Sequence, residues 1–263
     1  MATWDTRHRP DPDSSAGSAD VATLFRNLCR SSPWKWQSLR FEYWDEPFAQ
    51  APDPAAPLVR AWLRRPGALR LETADGLVLH STTGINDSKD GFYVSATRKS
   101  WLLPPHLVAP VYEEGLVRRR PEAAYGEPGF GNGRFSAALD PVELAGNAPV
   151  PLEFPGSNAV ELVDVHRVDH DGRPALEAVV TPTAAYQASD PGAPLCLPGS
   201  NRVRIDLGTG VCVSSQSLEP ATQDYGHWLR ILGVDEYMLD DLFVAESMNL
   251  TDVRRHISWD IPA

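Results

Sequence analysis

His166, Asp169, His170 and Asp171 crowd one short stretch of the sequence. Two imidazoles beside two carboxylates are the side chains that hold a divalent metal or pass a proton. Along an extended strand His166 and His170 share a face but stand too far apart for a common ion unless a turn folds one back. The Asp169-His170-Asp171-Gly172 run is turn chemistry, so a solvated hairpin tip is the expectation. Asp235, Glu236, Asp240 and Asp241 form an acidic patch, and Glu113 and Glu114 form another. Paired carboxylates serve acid/base chemistry when one is desolvated. Nothing near them in the sequence supplies an apolar setting, and both patches read as surface. Gly129-Phe-Gly-Asn-Gly133 approaches a phosphate-cradling loop but lacks the Lys-Ser/Thr that would follow. GxSxG, HExxH and GxxxxGK[ST] are absent. No catalytic residue, metal or cofactor is therefore assigned.

The aromatic residues are more informative. Trp34, Trp36, Tyr43, Trp44, Trp62, Phe92, Tyr93 and Trp101 all fall in the first 101 residues. Large rings with a polar edge can pack a core or line a cavity that grips an apolar ligand. Tyr43, Trp62, Tyr93 and Trp101 are the candidate ligand-binding residues. Trp62 and Tyr93 each lie opposite the aliphatic residues of their strands, which are Val59, Ala61 and Leu63 in one case and Phe92, Val94 and Ala96 in the other. If the aromatic face is concave they line a pocket; if the aliphatic face is concave they lie outside.

The elements that must position these residues follow from periodicity. Val21, Leu24, Phe25 and Leu28 recur at helical spacing, with Ser18 or Asp20 as N-cap. From Leu39 the period becomes two, and strands are predicted at 39–44, 59–63, 69–73 and 77–81, joined by Pro66-Gly67 and Asp75-Gly76 turns. Further strands are expected at 92–97 and 101–103. A helical pattern covers 107–117, and a second helix 135–144. Strands return at 160–168, 176–181, 203–207 and 211–217. Short helices at 228–232 and 237–243 precede a closing strand over 253–261. Phe154-Pro-Gly-Ser-Asn158 and Leu197-Pro-Gly-Ser-Asn201 repeat one turn sequence before two strands. This is a meander of hairpins rather than a βαβ series.

Bulk properties limit the partners. The chain has 263 residues, a formal net charge of −11 and 42% hydrophobic residues. Such charge repels phosphate backbones, and Arg118, Arg119 and Arg120 are the only basic run, so nucleic acid is not an expected partner. No stretch approaches the ~18 apolar residues of a membrane span. Residues 1–19 read as a disordered arm without a signal sequence, and residues 20–263 as one domain. Cys29, Cys196 and Cys212 lack the spacing of a zinc site and read as reduced, buried thiols. The cytoplasm of a bacterium is the expected location.

A leading amphipathic helix, the Arg-Pro-Gly strand pair with Asp75-Gly76, Phe92-Tyr93 in the next strand, an interrupting helical stretch and later hairpins together resemble the LolA/LolB/LppX lipoprotein-carrier family. The likeness runs over residues 20 to 261 and centres on Trp62 to Trp101. It implies an α+β, mainly antiparallel fold in which an incomplete barrel, or half-barrel, wraps a few helices. It further implies a concavity that accepts acyl chains or other apolar ligands. Family members act outside the cytoplasmic membrane, and this N-terminus departs from them in showing no signal sequence. Two functions follow. One is non-enzymatic binding of an apolar small molecule or peptide. The other is an enzyme, or a peptide-docking accessory, in a specialised biosynthetic pathway. The oligomeric state is open.

Overall fold

The computed structural model describes residues 13–48, 52–53, 55–65, 67–83, 109–121, 133–150 and 157–244. A long helix, α1 (Asp13–Lys35), leads the chain. Its Phe25, Leu28 and Cys29 recur at i, i+3 and i+4 and are fully buried, as the periodicity requires. It begins at Asp13, inside the stretch expected as an arm, and ends two residues after Pro33, whose missing N–H weakens the last turn. Four strands follow as hairpins: β1 (Ser38–Trp44), β2 (Val59–Arg64), β3 (Ala68–Thr73) and β4 (Val78–Thr82). A small separate hairpin comprises β5 (Val111–Glu113) and β6 (Leu116–Arg119). Helix α2 (Gly133–Leu139) precedes β7 (Val160–His170), β8 (Arg173–Pro182), β9 (Asn201–Asp206), β10 (Cys212–Ser217) and β11 (Gly226–Val234).

Nine strands form one antiparallel sheet in the order β4-β3-β2-β1-β11-β10-β9-β8-β7. The closure is central: β1 pairs with β11, so strands from the two halves of the chain meet in the middle. The sheet is open, and neither β4 nor β7 acquires an outer partner among the described residues. The class is α+β, mainly antiparallel β.

Register separates the two faces, because residues directly opposite each other in an antiparallel pair project to the same side. Phe41 stands between Ile231 and Ala61, and Tyr43 between Leu229 and Val59. These belong to the inner face, against which α1 and α2 pack. Phe25, Leu28 and Cys29 of α1 share one core cluster with Val203 and Ile205, and Phe135 and Leu139 of α2 share another with Phe41 and Leu229. Glu42 stands between Arg230 and Arg60 on the outer face, where charges of both signs alternate. Hydroxyls fix α1 to its neighbours: Ser32 Oγ donates to Leu139 O at 2.6 Å, and Val117 N donates to Ser31 Oγ at 2.8 Å.

Three elements differ from the sequence expectation. The helical pattern at 107–117 is instead the β5–β6 hairpin, whose turn places Glu114 at φ 51° and Gly115 at φ 79°. Two consecutive left-handed residues make the tight hairpin turn, and Glu-Gly is a weaker signal for it than Asn-Gly. The expected helix at 228–232 is strand β11. Trp228 is buried on the outer face while Leu229 and Ile231 are buried on the inner one, so no alternation survives in the sequence. The helix expected over 135–144 stops at Leu139, ahead of Pro141, and resumes as one 3₁₀ turn at Val142–Leu144. The 237–243 stretch holds a 3₁₀ turn at Asp240–Phe243. Expected strands at 92–97, 101–103 and 253–261 lie outside the described residues.

Candidate functional site

The inner face ends in a row that runs across three strands: Val59 on β2 stands opposite Tyr43 on β1 and Thr73 on β3. Beyond this row the strands stop, and the connecting residues Pro57 and Leu58 rise beside it. Phe135, near the start of α2, covers Tyr43 edge-on at 5.2 Å between ring centroids and also touches Phe41 at 5.6 Å. Together with Asp45 and Glu46 these residues enclose a cavity of about 550 Å³. Such a volume lies within the usual range for small-molecule sites.

The walls are apolar and the rim is acidic. Asp45 and Glu46 are both exposed. Tyr43 donates its hydroxyl to Asp45 Oδ1 at 3.2 Å, and Arg134 approaches the same oxygen at 3.2 Å. Arg134 also lies over the Tyr225 ring at 3.9 Å and donates to Gly226 O. Burial raises the Tyr43 phenol well above its ordinary pKa, and the nearby Asp45 carboxylate adds to the effect. The tyrosine stays neutral and serves as wall and donor. The arrangement can bury an apolar group against rings and fix a polar end at its mouth.

Behind Tyr43 lies a pair that no motif announced. Ser215 Oγ and His227 Nδ1 are 2.8 Å apart, and His227 Nε2 is 2.8 Å from Cys212 O. A carbonyl can only accept, so Nε2 carries the proton and Nδ1 accepts from the serine. A hydroxyl beside an imidazole is the geometry of an activated nucleophile. Here both residues are fully buried, so substrate has no access, and the pair ties β10 to β11. Burial pushes the His227 pKa down to about 3, which keeps the ring neutral.

The candidates from sequence separate. Tyr43 lines the cavity. Trp62 lies on the opposite, outer face, half-buried with Ala68, Met238, Leu242 and Phe243. The two therefore cannot share a pocket, and the aliphatic face of β2 is the one turned toward the helices. Tyr93 and Trp101 lie outside the described residues. Pro57, Leu58, Thr73 and Phe135 were not singled out; only the alternation that set Val59 with Ala61 and Leu63 hinted at this end of the sheet.

The histidine cluster is corrected. His170 is buried, not solvated: its ring lies 4.2 Å from that of Trp228, and its Nε2 donates to Leu229 O at 2.9 Å. Desolvation lowers its pKa. Asp171 accepts from Trp228 Nε1 at 3.0 Å and pairs with Arg230 at 3.2 Å. His166 stays half-exposed beside Asp164 and Glu177. The tip thus folds onto the sheet and the two histidines part. Among the described residues no group of three His, Cys, Asp or Glu side chains could hold a metal. The acidic patch is likewise occupied: Asp235 accepts from Gln37 N at 2.6 Å, Glu236 pairs with Arg40 at 2.8 Å, and Asp240 pairs with Arg64. Cys29, Cys196 and Cys212 are free and buried, and burial raises all three thiol pKa values. No helix among the described residues is long and apolar enough to cross a membrane.

The fold is thus of the α+β class, an open antiparallel sheet with helices packed on one face. No protein-family model matches the chain, and no curated protein matches it. Among solved structures the chain is similar to MucB, with 15% identity over 88% of this chain and 64% of that one and a TM-score of 0.33. The Pseudomonas aeruginosa MucA/MucB complex matches with 15% identity over 87% of this chain and 61% of that one, at a TM-score of 0.35. A LolA superfamily protein from Nitrosomonas europaea matches with 9% identity over 86% of this chain and 97% of that one, at a TM-score of 0.25. The chain spans less than two thirds of the MucB chains it matches.

Proposed function

We propose that this protein is a non-enzymatic binding protein that takes an apolar small molecule or acyl chain into the cavity walled by Tyr43, Leu58, Val59 and Phe135. The observation that carries the reading is that cavity of about 550 Å³, apolar in its walls and open at the acidic rim of Asp45 and Glu46. The driving force is removal of the ligand's apolar surface from water, worth roughly 25 cal/mol per Å². The sheet end and α2 are held by core packing, so the cavity is preformed and little ordering opposes binding. The inner face would act as the concave side of an incomplete barrel, with Tyr43 at its mouth. The three free, buried thiols favour a reducing compartment, and we place the protein in the cytoplasm.

Native mass spectrometry of freshly purified protein tests the reading, together with titration by a fluorescent acyl probe. A co-purifying apolar molecule, or saturable probe binding that Leu58→Trp abolishes by filling the cavity, supports it. Clean protein that binds no acyl probe overturns it.

A further inference from the structure

A second concavity lies on the far side of α1, between that helix and the β5–β6 hairpin. Its volume is about 390 Å³, and its charged lining consists of Arg26, Arg30, Arg118 and Glu113. Arg30 is almost completely buried, at 1% exposure. Its guanidinium donates to Gly146 O at 2.8 Å, Ala145 O at 2.7 Å and Asn27 Oδ1 at 3.0 Å. All of those acceptors are uncharged, so its charge is hydrogen-bonded but not neutralised. An unneutralised buried charge is costly, and burial together with the neighbouring Arg26, Arg118 and Arg120 brings the Arg30 pKa down to about 10. Arg120 is committed to Asp140 at 2.7 Å. Arg26 is partly desolvated, and burial lowers its pKa. Among the described residues Glu113 is the single carboxylate lining the concavity; it stands 3.9 Å from Arg118 and accepts from Asn27 Nδ2 at 3.3 Å.

Among the described residues, three guanidinium groups against one carboxylate give this concavity a surplus of positive charge, in a chain whose net charge is −11. We propose that it is a binding site for a phosphate monoester, whose dianion matches that surplus. Arg26 and Arg118 supply forked donors, Arg30 a fixed background charge, and Thr23 and Asn158 further polar contacts. The volume exceeds that of a bare phosphate, and Pro149 and Val150 offer a wall to the organic part. The phosphate could be carried by a soluble metabolite or by a lipid headgroup; the recognition chemistry is the same.

Isothermal titration of the full chain with orthophosphate and with glycerol phosphate, alongside sedimentation with phosphatidylcholine vesicles with or without phosphatidic acid, tests this. One-to-one binding of glycerol phosphate that weakens as salt rises is expected. The double variant Arg26→Ala, Arg118→Ala should weaken it at least about tenfold, corresponding to roughly 1.4 kcal/mol. Glu113→Gln should tighten it several-fold, and it serves as the readout if the double variant melts early. Arg60→Ala, which removes one charge from the outer face, should leave it unchanged. Binding confined to phosphatidic-acid vesicles and lost in the double variant assigns the lipid source. Absence of saturable binding to every phosphate probe overturns the proposal, as does a loss in Arg60→Ala equal to that in the double variant.

Discussion

The rings of Tyr43 and His227 lie stacked, 5.7 Å apart between centroids and 18° from parallel. One face of Tyr43 is thus fixed by the sealed Ser215–His227 tie while the residue itself lines the cavity. The buried polar pair thus backs the cavity wall without lining it.

That pair makes stability depend on pH. The folded-state pKa of His227 is about 3, against about 6.5 in an unfolded chain. Between these values the unfolded state binds the extra proton. Stability from keeping the ring neutral is therefore complete above about pH 6.5 and falls as pH drops toward 3, by up to ~1.4 kcal/mol per pH unit. His170, whose pKa is also lowered, acts in the same direction. Urea unfolding from pH 7 to 4 should show His227→Gln less stable at pH 7 but with a flatter acid limb. Parallel curves for the two proteins would contradict this.

Glu143 organises the loop between β8 and β9. It is buried and accepts from the Tyr186 hydroxyl, from Ser189 N at 2.7 Å and from Leu195 N at 2.7 Å. Its replacement leaves several donors unsatisfied at once. Glu143→Ala should cost about 3 kcal/mol in chemical denaturation, and hydrogen exchange should quicken at Ser189 and Leu195. A cost under about 1 kcal/mol would show the loop to be held by other contacts.

The folded-over β7–β8 tip rests on Asp171, which stands at φ 52° and binds both Trp228 and Arg230. Asp171→Ala loses both partners and strains the turn, so a loss of about 2 kcal/mol is expected. Asp171→Asn keeps an acceptor and tolerates the left-handed backbone, and should cost under about 1 kcal/mol. A loss under about 1 kcal/mol in both variants would mean that neither bond matters.

The parts of the fold legible in sequence were those where one side of a strand meets the core and the other meets water. Strands β1 to β3 alternate Leu39, Phe41, Tyr43 or Ala61, Leu63 against charged residues, and the Asp75-Gly76 turn carries its own chemistry. Legibility failed where tertiary contacts covered both faces. Trp228 is apolar on the outer side because the His170-Asp171 tip lies on it, so β11 reads as helical in isolation. The same contact buries His170, which the sequence placed at a solvated tip. The cavity combines β1, β2, β3 and α2, elements far apart in sequence, so periodicity placed Tyr43 and Val59 on their strands but did not show the Phe135 that covers Tyr43. Arg26 and Arg30 were invisible for a similar reason: their meeting with Arg118 depends on the β5–β6 hairpin folding back onto α1.

The cavity beside Tyr43 carries the central claim, and titration of a fluorescent acyl probe into wild-type protein and Leu58→Trp addresses it most directly. Saturable binding to the wild type, lost in Leu58→Trp while its melting temperature is retained, is the expected result. No saturable binding to the wild type, or equal affinity in both proteins, would contradict it.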